Sequence, residues 1–348
     1  MKRTICLFFM VILICYSLMG CGKNKGTEPG TNNDDITINE PDTTLTTSEN
    51  SFKRGVWIPR RIEISDYWLD IVKPEVVRLF ANWLDFERER GQLDSMVIKN
   101  RLNEIPEHID IMLHLTISRG WMTGHPEINY YTKGSWPPVD TADFRTAMEF
   151  MVRQTASRVK YYQLINEPNT FPMRYEDYGH WNGTVEELKT LTDMFYDIVK
   201  ELDPKAQVIL CGLAPSADIA DWGEQLKDCK FDIWDVHING HYDPSIPINA
   251  LWDVDRSKEL ALSECTWPKV ENYDNFEEFN AAKVEYVYPL YSSVAEMGAK
   301  FAIWTQVKMP EEVSHPGHYL ALFDQDWNPY EIAYAFGALA DSSFDTPE

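Results

Sequence analysis

The chain is short of cations: its 348 residues hold 32 Lys and Arg against 55 Asp and Glu, a formal net charge of −23. A surface of that sign repels nucleic acid and anionic membrane headgroups, so no nucleic-acid partner is expected. Cysteine is scarce too. Six are present, and only Cys211, Cys229 and Cys265 lie beyond the first 21 residues, an odd number that gives no disulfide framework. Cys211 and Cys265 fall within or just after predicted core strands, where a free cysteine acts as a small hydrophobe. His237, His241, His315 and His318 hint at a metal, but they form no closed ligand set with a zinc-type spacing, and neither metal nor cofactor is expected. The sequence has no internal repeat and no sign of a second folded domain. The turn after the first predicted strand, Trp57-Ile58-Pro59-Arg60-Arg61, lacks the glycines that cradle phosphates in an open doubly wound sheet.

What is present begins with an address. Lys2 and Arg3 precede an apolar run over residues 5–18, too short and wrongly flanked to span a membrane as a mature helix, which reads as a secretory signal. The following Leu18-Met19-Gly20-Cys21 resembles the bacterial lipobox, and the resemblance implies that Cys21 is lipidated and becomes the first residue. An ordinary signal that happens to end near a cysteine is the competing reading. Residues 22–52 are Gly, Thr, Asn, Asp, Glu and Pro with almost nothing apolar, too little to offset the entropy of ordering. Three segments result: a signal peptide at 1–20, a lipidated N-terminus and flexible linker at 21–52, and a folded part at 53–348. The implied protein is an exported, membrane-anchored lipoprotein facing the cell surface or the periplasm, held by its acyl chains.

Within the folded part, short apolar strands alternate with longer amphipathic segments. The predicted strands are residues 55–58, 76–80, 109–115, the segment ending at Asn166-Glu167, 207–211, 231–237, 260–262 and 301–304. Helical patterns run over 185–201, 276–297 and 330–340. Strict alternation implies parallel strands with helical crossovers, and eight such units close into a single-domain α/β (β/α)8 TIM barrel. Active sites of such barrels lie at the C-terminal ends of the strands. That rule singles out Trp57, Arg78, Asn82, Trp83, His114, Asn166, Glu167, His237, Glu264 and Trp304.

Two of these are carboxylic acids at strand ends. Glu167 closes Tyr161-Tyr162-Gln163-Leu164-Ile165-Asn166-Glu167-Pro168-Asn169, and Glu264 closes Glu259-Leu260-Ala261-Leu262-Ser263-Glu264. The fourth and seventh strands face each other across a barrel mouth, and hydrolysis of a sugar linkage needs such a pair. Shielded by aromatic residues and near a second carboxylate, Glu167 is expected to have a raised pKa and to stay protonated at neutral pH. A lone glutamate in a helix cap or a surface ion pair is the commoner alternative, and the second strand is what weighs against it.

These residues resemble clan A of the retaining glycoside hydrolases, which carry the acid/base on strand four and the nucleophile on strand seven. Ile165-Asn166-Glu167-Pro168-Asn169 is most similar to the form seen in the β-xylosidase and α-iduronidase family and its relatives. The resemblance spans about residues 53–341 and implies Glu167 as acid/base, Glu264 as nucleophile, Asn166 on the sugar 2-hydroxyl and Arg78 holding the nucleophile ionised. It implies a His-X-Tyr after strand six, from which this chain departs with His237-Ile238-Asn239 and a later His241-Tyr242. Tyr242 or His237 alone is expected to take that role. Trp304 is expected to floor the sugar site and Trp57 to support it. Trp121, Tyr130, Tyr131, Trp136, Phe171, Tyr175, Tyr178, Trp181 and Trp267 suggest sugar-stacking loops. The expected activity is hydrolysis of O-glycosidic bonds in a polysaccharide or oligosaccharide. A glycan-binding lipoprotein without catalysis is the alternative, and the acidic surface mildly disfavours a strongly polyanionic glycan.

Overall fold

Eight parallel strands close on themselves in the structure, a computed structural model that describes residues 52–60, 62–117, 120–124, 135–170, 180–216, 218–239, 243–266, 274–309 and 320–342. They are β1 (Lys53–Ile58), β2 (Val76–Asn82), β3 (Asp110–Thr116), β4 (Tyr161–Leu164), β5 (Gln207–Ile209), β6 (Ile233–Asp235), β7 (Glu259–Thr266) and β8 (Phe301–Trp304). Each pairs with the next, and β8 pairs back with β1. Past Val236, which bridges Leu213, and His237, Ile238–Asn239 pairs with Cys265 and Thr266. The alternation in the sequence therefore did predict the (β/α)8 barrel. Helices α1 (Asp66–Val72), α2 (Trp83–Phe86), α3 (Met96–Asn103), α4 (Thr141–Thr155), α5 (Val185–Leu202), α6 (Ile219–Leu226), α7 (Ser245–Val254), α8 (Phe276–Glu296) and α9 (Glu331–Ala338) lie between the strands and after the last. Among the described residues no helix is long and apolar enough to cross a membrane.

Side chains that alternate along a strand divide between the barrel interior and the helix layer. The interior is filled by Val76, Met112, Tyr161, Ile209, Ile233, Ala261, Phe301 and Ile303. Two residues further along five of these strands come Arg78, His114, Gln163, Asp235 and Ser263, none more than 2% exposed. The barrel thus has an apolar plug capped by a buried polar layer. Outside, α5 shows why the helices hold. Thr184 and Glu187 close a capping box at its start, and Leu188, Leu191, Phe195, Ile198 and Val199 bury one face. Each such apolar side chain contributes about 1.5–3 kcal/mol by leaving water. Cys211, Cys229 and Cys265 are all buried and free, and burial pushes the Cys229 thiol up to about 12.

The interior leaves no room at Gly55, where an added Cβ would stand 2.8 Å from both the Val76 carbonyl and Ile303 Cγ1. Gly55→Ala is expected to cost about 1–3 kcal/mol through overpacking, read as a lower urea midpoint. An unchanged midpoint would contradict the tight plug.

Candidate active site

The polar layer carries the site. Arg78, on the interior row of β2, sends Nη1 to Glu264 Oε1 at 2.6 Å and to the Ser263 carbonyl at 3.2 Å. Its Nη2 reaches Asn166 Oδ1 at 2.8 Å and Gln163 Oε1 at 3.4 Å, and lies against His114 Nδ1. One guanidinium therefore ties four strands together beneath the mouth. His114 is held neutral, its pKa well below the ordinary value because burial and the nearby charge of Arg78 both oppose protonation.

Two local irregularities aim the acids. Asn166 and Glu167 follow directly on β4, and Ile165 and Glu167 take the left-handed φ values of 65° and 43°. Such values are uncommon for a glutamate and rarer for a β-branched residue. They are pinned by Ile165 N–H on the Leu115 carbonyl at 2.9 Å and Glu167 N–H on the Gly212 carbonyl at 2.8 Å. Asn169 then clamps the turn, its Nδ2 on the Ala214 carbonyl and its Oδ1 accepting from Ala214 N–H, both at 2.9 Å. On β7 a register shift between Leu262 and Cys265 lets the sequence neighbours Ser263 and Glu264 both reach the site.

Glu167, with 12% of its side chain exposed, faces Glu264, with 18%. Glu167, His237 and Glu264 each offer a donor atom within 4.8 Å of the others. His237 Nδ1 lies between the acids, 2.7 Å from Glu167 Oε1 and 3.8 Å from Glu264 Oε2. A second histidine, His180, puts Nδ1 3.1 Å from Glu167 Oε2. The spacing of Glu167, His237 and Glu264 would admit a cation. Their atoms are committed to one another instead: Arg78 already neutralises Glu264, and His237 Nδ1 is bound to Glu167.

The expected high pKa of Glu167 is corrected by these contacts. Burial does oppose its charge, but the close approach of His180 and the hydrogen bond and charge of His237 outweigh burial and hold the carboxyl well below the usual carboxylate range. His237 moves the other way. Burial would lower it, yet the charges of Glu264, Glu167 and Asp235, with the bond to Glu167, raise it above 6.5. Both shifts favour a carboxylate on Glu167 and a proton on His237.

The strand-end residues divide. Arg78, Asn166, Glu167, His237 and Glu264 meet at one point. Asn82 instead caps α2 through Leu84 N–H, with Nδ2 on Thr116 Oγ1 at 3.0 Å, and Trp83 is wholly buried. Trp304 faces the helix layer, fully buried, its ring against Phe336 and its Nε1 on the Leu320 carbonyl at 2.8 Å. The expectation that it floors a sugar site is not met, because Phe301 and Ile303 hold the inward positions of β8. Trp57, partly exposed and packed on the interior plug, is the strand-end aromatic at the mouth. Phe80, edge-on to His114 at 5.5 Å, joins it. Of the loop aromatics, Trp136 and Trp181 are buried and Trp121 is partly so. Tyr130, Tyr131, Phe171, Tyr175, Tyr178 and Trp267 lie outside the described residues, as do Cys21, His241, Tyr242, His315 and His318. His180, Gly212 and Asp235 escaped the sequence reading. Asp235, two residues before His237, was the one legible by periodicity.

No protein-family model and no curated protein sequence matches the chain. Solved structures do. The chain is similar to a family 39 glycoside hydrolase from the gut symbiont Bacteroides cellulosilyticus, with a TM-score of 0.57 and 14% identity over 84% of this chain and 64% of that one. It is similar to a monomeric β-xylosidase from Caulobacter crescentus, with a TM-score of 0.63 and 12% identity over 84% of this chain and 68% of that one. Xylanase 10B from Thermotoga maritima aligns with a TM-score of 0.57 and 15% identity over 84% of this chain and 96% of that one. The chain spans less than two thirds of the first of these. At such identities the likeness is one of fold.

On folding, Glu167 falls from 4.5 and His237 rises from 6.5. The depressed acid stabilises the fold above its unfolded pKa and loses that contribution as pH falls through the folded value. The raised imidazole contributes below its unfolded pKa and loses that as pH rises through its folded value. The stability gap between the parent and Glu167→Gln is therefore expected to be widest between about pH 4.5 and 6.5 and to narrow at both ends, in urea unfolding at a series of pH values. A gap independent of pH would contradict the ion pair.

Proposed function

We propose that the chain is a retaining glycoside hydrolase that cleaves O-glycosidic bonds of a polysaccharide or oligosaccharide by double displacement. The observation that carries this reading is the facing of Glu167 and Glu264, with carboxyl oxygens within 4.8 Å of each other and Arg78 on the second acid. Retaining enzymes hold their two carboxyl groups about 5–5.5 Å apart, whereas inverting ones leave about 6.5–9.5 Å for a water. The fold likeness to glycosidases supports the same chemistry.

Glu264 Oε2 attacks the anomeric carbon as the bond to the leaving oxygen breaks. The proton on His237 Nδ1 passes across 2.7 Å to Glu167, which gives it to that oxygen and is left ionised. Water then attacks the same carbon, Glu167 accepts its proton, and Glu264 is released. Asn166 Oδ1 is taken by Arg78, whereas Nδ2 makes no hydrogen bond among the described residues and suits a sugar hydroxyl acceptor. Trp57 and Phe80 offer apolar faces to the ring. In the full reading residues 53–348 form the catalytic domain, tethered through 21–52 to a lipid on Cys21 after removal of 1–20. That places an exported lipoprotein at a membrane surface, acting on glycans outside the cytoplasm, with kinship to the β-xylosidase and α-iduronidase family.

The test is hydrolysis of plant, algal and bacterial polysaccharides and aryl glycosides by the full chain. Glu264→Gln is expected to abolish turnover. Glu167→Gln is expected to lower kcat about 10²–10⁴-fold on substrates with poor leaving groups and far less on activated aryl glycosides. Near-normal hydrolysis by Glu264→Gln would sink the assignment, and glycan binding without hydrolysis by the parent would favour a binding protein.

A further inference from the structure

Asp235 is a fully buried carboxylate that the double displacement does not use. Its Oδ1 accepts from Ser263 N–H at 2.8 Å, and its Oδ2 accepts from Gln163 Nε2 and from Ser263 Oγ, each at 2.5 Å. Three donors on two oxygens suit an ionised carboxylate, which can only accept. The single hydroxyl proton of Ser263 is therefore spent on Asp235. Among the described residues, the remaining hydrogen-bonding neighbour of Ser263 Oγ is His237 Nε2, at 3.1 Å. Only a proton on Nε2 makes that contact a hydrogen bond, since a bare nitrogen would face an oxygen lone pair in a buried site.

We propose that Asp235 and Ser263 are positioning residues that lock a proton on His237 Nε2 and leave Nδ1 as the point through which Glu167 loses and regains its proton. The backbone makes room for this relay. Asp235 and His237 share the interior face by their two-residue spacing. Gly212 lies against both, and a Cβ there would run into the imidazole and stand 2.8 Å from Asp235 Oδ2. Among the described residues, the other charged or titratable groups around His237 are Glu167 after β4, with His180 behind it, Glu264 on β7, with Arg78 behind it, and neutral His114 on β3. None of them faces Nε2. A proton gained at Nδ1 therefore sits between two carboxylates, and the relay converts a histidine with two exchangeable positions into one with a single position.

The kinetic consequence rests on Glu167 being the acid/base, but the proton's location does not, so the test reads that location directly. The full chain carrying 15N-labelled histidine is followed by long-range 1H–15N spectra against pH, with His237 assigned by the signals lost in His237→Gln. The relay predicts that Nε2 stays protonated throughout and only Nδ1 titrates. In Ser263→Ala the Nδ1 midpoint is expected to fall by about one pH unit, the worth of one charge-assisted hydrogen bond. Where hydrolysis is measurable, the basic limb of kcat/KM is expected to move down with it. A parent spectrum with a proton on Nδ1 and a bare Nε2 would overturn the relay without any variant, as would an unchanged midpoint in Ser263→Ala. Absence of hydrolysis would count against the glycosidase reading and leave the spectra decisive for the relay.

Discussion

Everything at the mouth of this barrel depends on one buried cation. The Arg78 guanidinium sits on the apolar plug with 2% of its surface exposed, where an unpaired charge would cost several kcal/mol. It is tolerated because Glu264, the Ser263 carbonyl, His114, Gln163 and Asn166 all turn toward it. Those contacts fix the acid on β7, the amide beside the acid on β4 and the neutral state of His114. A lysine in the same place would offer a point charge without the planar fork that bridges these partners.

From Arg78 the polar layer runs as a chain of hydrogen bonds. Gln163 links the guanidinium to Asp235, Asp235 links to Ser263, Ser263 to His237, and His237 to Glu167. The two acids are thus joined through buried hydrogen bonds as well as across the open mouth. Left-handed Ile165 and Glu167 store about 1–3 kcal/mol each. The bonds to Leu115 and Gly212 hold that strain where it aims a carboxyl group.

The barrel was legible because its strands are short and largely apolar and the helices between are amphipathic, patterns that survive in one dimension. The acids were legible because they end strands, and Arg78 because the strand-end rule and the family resemblance both single it out. Trp304 misled for a physical reason: its place at a strand end says nothing of which face it occupies, and the inward row of β8 belongs to Phe301 and Ile303. The pKa of Glu167 misled because the opposing partners come from elsewhere in the chain, His237 after β6 and His180 from the stretch before α5. Gly212 carries no signal at all until the imidazole it accommodates is placed beside it. Long-range partners decide such protonation states, and periodicity does not reveal them.

In the proposed function two carboxylates at this spacing act on one anomeric carbon in two displacements. The most direct measurement is the anomeric configuration of the first-formed product, followed by proton NMR during hydrolysis of a substrate of known configuration. Double displacement gives a product that appears with the configuration of the substrate and only later mutarotates. A product that first appears inverted would contradict it.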